Sequence, residues 1–221
     1  LKELSSTIGE WGVWKSLNAN LNIFLSTMPL VRQLSHRAIQ ERHWEELKME
    51  TKQQFNQNDP SFTLDAIWQL GLHQYADLIS EIFSRAQAEL GIYETIKEIE
   101  NTWNNLVLNV IVHKENYLKL TATDELFQTL EENIVALSSM KSQIHSQPFQ
   151  EEIAHWESTL SSINDTVEVL LQVQKQWLYL ESIFVGKDQE EFSKKQLANE
   201  RSDFMRANDR FMEEMKRIES N

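Results

Sequence analysis

Residues 72 to 106 read LHQYADLISEIFSRAQAELGIYETIKEIENTWNNL, and the architecture follows from how this stretch is read. Leu72, Tyr75, Ile79, Ile82, Ala86, Leu90, Tyr93, Ile96, Ile99, Trp103 and Leu106 recur mostly three or four residues apart, the spacing of one buried helical stripe. The spacing passes through Gly91 without changing phase, so a single long helix is expected, with any kink placed at that Gly. About 35 residues at 1.5 Å each give roughly 52 Å of helix. A compact globule of this chain length would be roughly 45 Å across. An unbroken helix of this length implies an elongated bundle.

The rest of the chain is also poor in breakers. It holds 5 Gly and 3 Pro in 221 residues, so turns are few and the other elements should be long helices too. Upstream, Leu4, Ile8, Trp11, Trp14, Leu17, Leu21, Phe24 and Leu25 form a stripe that Met28-Pro29 is expected to end. Ser35 is read as the N-cap of a helix running to about Glu50. Gln53 to Ser61 is polar, carries Pro60 and reads as a loop. Thr63 is read as the cap of a short helix that Gly71 closes.

Downstream, Val107 to Val112 (VLNVIV) and Tyr117 to Leu120 (YLKL) flank a short polar turn and predict a small β-hairpin near residues 107–120. Thr123 with Asp124 and Glu125 opens another helix, with Leu126, Leu130, Ile134, Leu137, Met140 and Ile144 on one face. Pro148 is expected to start a further long helix through Phe149, Ile153, Trp156, Leu160, Ile163, Val167, Leu170, Trp177 and Phe184, which Gly186 ends. The fold class expected is therefore mainly α, an elongated bundle of long antiparallel helices with one small hairpin. Residues 1–186 form its body and 187–221 a charged amphipathic helix, read as solvent-exposed or docked on another molecule.

Charge and composition exclude several functions. There are 34 acidic and 21 basic residues, a net charge of −13, which argues against a phosphate-backbone binder and so against nucleic acid. Residues 187–221 are nearly balanced in charge, so the acidity belongs to residues 1–186. With no Cys there is neither a disulfide framework nor a thiolate metal site, which suits a reducing compartment. No segment approaches the roughly 20 apolar residues that span a bilayer. Mean hydropathy is −0.48, and no membrane partner is expected. The chain begins at Leu1 without an initiator Met, and it opens and closes inside charged amphipathic sequence. A piece of a longer protein is expected.

Chemistry-bearing patterns are sparse. Gly186-Lys187 lacks the upstream Gly and the following Ser or Thr of a phosphate-cradling loop. Glu152 and His155 make one Glu-x-x-His, where di-iron bundles use two together with two further Glu, so His155 is read as a polar-face His beside Trp156. Glu45-Glu46, Glu131-Glu132 and Glu151-Glu152 are neighbours on helices; such pairs point about 100° apart and read as solvated faces. Trp44, Trp68, Trp103, Trp156 and Trp177 lie on or beside apolar stripes. Gap-filling between helices is the simpler reading, and a partner-facing anchor the functional one.

Seven short segments, in order, resemble the linker region of dynein heavy chains. They are Met28-Pro-Leu-Val31, Arg42-His-Trp44, Phe62-Thr-Leu64, Leu70-Gly-Leu-His73, Ala86-Gln-Ala-Glu-Leu90, Ile96-Lys-Glu-Ile-Glu100 with Thr102-Trp103, and Val173-Gln-Lys-Gln-Trp-Leu-Tyr-Leu-Glu-Ser-Ile-Phe184. The tail is less similar, at Val185-Gly-Lys-Asp188 and Lys195-Gln-Leu-Ala198. The stretch from Ser182 to Gly186 looks axonemal, which implies the cytoskeleton of a cilium or flagellum.

The resemblance implies a mechanical element with no catalytic, cofactor or metal residue of its own. It would be the distal part of a helical arm that swings across a ring of AAA modules, where ATP and Mg are bound outside this segment. The implied partners are that ring, dynein intermediate and light chains and, indirectly, microtubules. Arg42, His43, Trp44, Trp103, Trp177, Tyr179, Glu181 and Phe184 are the structural or interface candidates. Trp177, Tyr179 and Phe184 are expected to pack, with Glu181 in a buried or interface hydrogen bond. A passive helical scaffold or tether is the alternative, and a metalloenzyme a distant third.

Overall fold

A computed structural model describes residues 11–60, 62–114, 117–185 and 198–220. In order the elements are α1 (Gly12–Leu34), α2 (Glu41–Thr51), α3 (Leu64–Gln69), a 3-10 turn (Leu72–Tyr75), α4 (Ala76–Asn105), β1 (Val110–His113), β2 (Tyr117–Leu120), α5 (Thr123–Lys141), a 3-10 turn (Ile144–Phe149), α6 (Gln150–Phe184) and α7 (Ala198–Ser220). The chain is mainly α with one antiparallel hairpin, as its periodicity predicts. It divides into two compact units, Leu1–Glu94 and Thr95–Asn221, and the division falls within α4.

In the first unit the core joins Leu30 and Leu34 of α1, Leu47 of α2, Ile67 of α3, Leu72, and Ile79 and Ile82 of α4. Met28-Pro29 does not end α1, which runs on to Leu34. Pro29 lacks the N–H that a helix interior uses, a loss of about 3 kcal/mol. Burial of Leu30 and Leu34 beyond it offsets that cost. Ser35 is then the C-cap of α1 rather than the N-cap of α2, which begins at Glu41 after Gln40. The expected stripe upstream of Pro29 is mostly exposed at Trp11, Leu17, Phe24 and Leu25, while Leu4 and Ile8 lie outside the described residues. Thr63 holds the N-cap position of α3 but its side chain makes no capping hydrogen bond, and Gly71 takes a left-handed φ of 64° that few other residues adopt without strain.

α4 carries the long stripe, with Gly91 inside it, but the centre of the stripe is shifted by one residue. Ile79, Ile82, Ala86, Glu89, Ile92, Ile96 and Ile99 are buried, whereas Leu90 is half-buried and Tyr93 exposed. Periodicity of apolar residues hides this phase because Glu89, a charged residue, occupies a core position. The helix proper begins at Ala76, because Leu72–Tyr75 forms the tighter turn.

In the second unit α5 and α6 pack as neighbours through a short 3-10 connection, which holds Pro148 ahead of α6. Leu126, Leu130, Leu137 and Met140 of α5 are buried, as are Ile153, Leu160 and Val167 of α6. Ile134 is exposed, and Ile144 follows the helix in the turn with its side chain in solvent. α5 opens at Thr123 with Asp124 and Glu125 in its first turn, as expected, and Ala122 holds the N-cap position at a φ of 53°. The last described helical residue of α6 is Phe184; Gly186, expected to end that helix, lies outside the described residues.

The hairpin pairs Val110 with Leu120, Ile111 with Lys119, Val112 with Leu118 and His113 with Tyr117. α7 packs on it: Phe204, Phe211, Met212 and Met215 share a core with Leu118, Leu120 and Trp177. The final helix is therefore not a free solvent-exposed element. Most of its sparse apolar residues fall on one side and are buried there, with Met205 left in solvent. Phe192 and Leu197 of the same expected stripe lie outside the described residues.

Candidate functional site

Two clusters hold most of the residues singled out in the sequence. The first is built on α2 and α4. Arg42, in the first turn of α2, reaches Glu89 with its Nε at 2.9 Å and with its Nη2 as well. Glu89 is 5% exposed, so its charge has left water and needs this compensation. His43 is buried beside it. Its Nδ1 accepts from the Gln40 N–H at 3.0 Å, the reciprocal half of a capping box, which leaves the ring proton on Nε2. Nε2 stands 3.2 Å from Glu89 Oε2 but is poorly aligned for a hydrogen bond.

Burial pushes the His43 pKa below its ordinary value; Glu89 pulls it up, and Arg42 and Arg85 oppose that pull. His43 is thus neutral at pH 7, and Arg42 supplies the charge that balances Glu89. Arg85 pairs with Glu46 between the same two helices. Trp44, next on α2, packs edge-on against Phe55 and Phe62, with centroids 6.1 and 6.0 Å away, and these two rings stack at 5.3 Å.

The second cluster joins the hairpin, α6 and α7. Trp177 is buried, and its Nε1–H donates to Asn208 Oδ1 on α7 at 3.0 Å. Its ring lies 5.2 Å from both Tyr117 and Phe211. Phe184 stacks on Phe204 at 5.4 Å. Glu181 is 2% exposed, and Lys114 Nζ, at the hairpin turn, donates to both its oxygens at 2.6 Å. Gln174, earlier on α6, also meets the hairpin. Its Oε1 accepts from the Leu120 N–H at 2.6 Å and its Nε2 donates to the Leu120 carbonyl at 3.1 Å.

Two candidates lie outside both clusters, and one of them, Tyr179, differs from expectation. Tyr179 does not pack: it is 67% exposed, because positions 174, 177 and 181 already fill the inward side of α6 and place 179 on the far side. Trp103, late in α4, is half-buried and joins neither cluster; its indole nitrogen has no hydrogen-bond partner among the described residues. Sequence reasoning missed Glu89, Lys114, Gln174 and Asn208. Gln174 and Asn208 are detectable as polar residues in phase with an apolar stripe; Glu89 hides the phase of its own stripe, and Lys114, in a turn, leaves no such signal.

Each cluster ties separate elements together through polar contacts to a buried carboxylate, Glu89 in the first and Glu181 in the second. Among the described residues, no group of three or more His, Asp or Glu is placed to hold a metal ion, and no helix is long and apolar enough to cross a membrane. Fold and clusters together define a helical packing segment whose elements are cross-braced by buried charge and amide contacts.

The dynein heavy chain, N-terminal region 2, family model matches residues 1–221, and the chain belongs to that family. The dynein-1-beta heavy chain of the flagellar inner arm I1 complex of Chlamydomonas reinhardtii is 40% identical over 218 residues, covering 99% of this chain and 5% of the relative. Dynein axonemal heavy chain 2 of Mus musculus is 38% identical over 209 residues, 94% of this chain and 5% of the relative. A cytoplasmic dynein heavy chain of Fusarium vanettenii is 30% identical over 185 residues, 84% of this chain and 4% of the relative. The chain thus spans only about one-twentieth of the length of the curated relatives it matches.

Proposed function

We propose that this chain is the distal part of the lever arm of a dynein heavy chain. It swings across the AAA ring of the same heavy chain and turns ATP hydrolysis there into movement along microtubules. ATP and Mg belong to that ring, and the segment contributes no catalytic residue. Residues 1–186 form the body of the arm, and 187–221 continue it. Intermediate and light chains of the complex are its further partners. The axoneme of a cilium or flagellum is its location, in keeping with the flagellar and axonemal names of two of these relatives.

The observation that carries this reading is the family match along all 221 residues. The braces supply the physical support. A lever must resist bending under load, and dense interiors with buried polar cross-links transmit strain rather than absorb it. Distances between a fluorophore at the exposed Val135 of α5 and one on the ring, measured in the full heavy chain, test it. Two nucleotide-dependent distances are expected; one distance in every nucleotide state favours a passive scaffold instead.

A further inference from the structure

α1 ends at Leu34 and α2 begins at Glu41, and the connection between them, residues 35–40, is held by two imidazoles. His36 Nδ1 accepts the Ala38 N–H at 3.1 Å, and His43 Nδ1 accepts the Gln40 N–H at 3.0 Å. The usual side-chain acceptors in turns and at helix starts are Asn, Ser and Thr oxygens, which do not titrate. Imidazole does, close to neutral pH. A neutral imidazole offers one acceptor nitrogen, whereas an imidazolium has two donors and no acceptor. Each of these two bonds therefore exists only while its ring is neutral, whichever way the ring is turned.

Both rings also stand against α4. His36 meets Phe83 edge-on at 5.3 Å, and His43 places Nε2 3.2 Å from Glu89. The charged groups acting on His43 are Glu89 and Arg85 of α4 and Arg42 beside it on α2. Glu89 favours a proton on the ring, and the two arginines oppose it. Around His36, Arg32 closes the last turn of α1, and Arg37 of the connection pairs with Glu94 of α4. The carboxylates here are engaged by arginine: Glu89 by Arg42, Glu46 by Arg85 and Glu94 by Arg37. The buried core of the same unit, from Leu30 and Leu34 to Leu47, Ile79 and Ile82, is apolar and holds no titrating side chain. Protons thus act on the connection and leave that core alone.

We propose that the connection between α1 and α2 is a proton-operated latch, closed while His36 and His43 accept the Ala38 and Gln40 N–H groups and opened when the rings take up protons. Opening frees the connection and uncaps the first turn of α2, which carries Arg42. Burial keeps His43 neutral at pH 7, so the latch is closed there and opens towards acid pH. It lies within one compact unit and does not depend on whether the arm swings, so a failed lever test leaves it standing.

The test is amide hydrogen exchange of the full heavy chain, read at single residues between neutral pH and about pH 5 and corrected for the intrinsic effect of pH on exchange. Protection of the Ala38 and Gln40 amides should fall by about tenfold or more, while the Leu47 amide of α2 keeps its protection. The double variant His36→Asn, His43→Gln places at both positions a carboxamide oxygen that can accept the same N–H groups and does not titrate, so protection should hold at acid pH. Wild-type protection that stays constant at Ala38 and Gln40, or that falls in step with Leu47, overturns the proposal, whatever the variant does. So does an equal acid loss in the double variant.

Discussion

Replacing Arg42 by Ala removes the cation that balances a carboxylate held almost entirely out of water. Glu89 is 5% exposed, and its other neighbour, His43, is neutral at pH 7 because burial lowers its pKa. Breaking a buried pair from the side that leaves a buried charge uncompensated costs about 3–5 kcal/mol. The reverse change is expected to be mild. In Glu89→Leu the Arg42 guanidinium, 41% exposed, reaches water, and a leucine fits the stripe between Ala86 and Ile92, so a loss of about 0–1.5 kcal/mol is expected. The two variants of one ion pair should therefore differ by at least about 2 kcal/mol. Urea unfolding followed by tryptophan fluorescence, which includes Trp44 in the same unit, measures both.

Acid adds a second check on the same cluster. The folded pKa of His43 lies below 6.5, so the unfolded chain binds the proton more readily. Its contribution to stability is full above that value and is lost as pH falls from 6.5 towards the folded pKa. In Arg42→Ala the cation that opposed protonation is gone and Glu89 remains, so this acid loss should shrink. Glu89→Leu destabilising as much as Arg42→Ala, or an acid loss that grows in Arg42→Ala, would refute the assignment of charge within the cluster.

Other changes are expected to act locally. Trp177→Ala should cost about 3–5 kcal/mol by emptying the space between the hairpin and α7, and Asn208→Leu about 1–3 kcal/mol by leaving the indole N–H buried and unpaired; urea midpoints rank the two. Gln174→Leu strips both bonds from Leu120 and should cost about 2–4 kcal/mol, with faster exchange of the Leu120 amide as its local sign. Gly91→Ala should stabilise by about 0.5–1 kcal/mol in thermal unfolding, because a methyl added there meets no neighbouring atom within 4 Å.

The apolar stripes made the helices and the hairpin legible, and Gly71 and Thr63 marked a real boundary. Pro29 misled because its local cost is smaller than the burial gained beyond it. Ser35 misled because a hydroxyl residue between two helices suits either end. The clusters were legible only in part. Arg42, His43, Trp44, Trp177, Glu181 and Phe184 could be picked out, but not their partners. Those partners lie 47 residues away for Arg42 and 67 for Glu181, and periodicity within one helix carries no information on which other element will face it. The polar interruptions at Glu89, Gln174, Glu181 and Asn208 look like flaws in their stripes. In the folded chain they are the places where one element is tied to another.

A lever arm works only if its stiffness couples ATP turnover to movement. Lys97→Gly with Glu98→Gly softens α4 at two exposed positions by about 1 kcal/mol each, and the buried Ile96 and Ile99 stay in register. Microtubule gliding velocity and ATP turnover of the full heavy chain carrying this pair are measured together. A lever arm predicts gliding that falls while ATP turnover is retained. Gliding that is unchanged, or that falls only in proportion to ATP turnover, is incompatible with one.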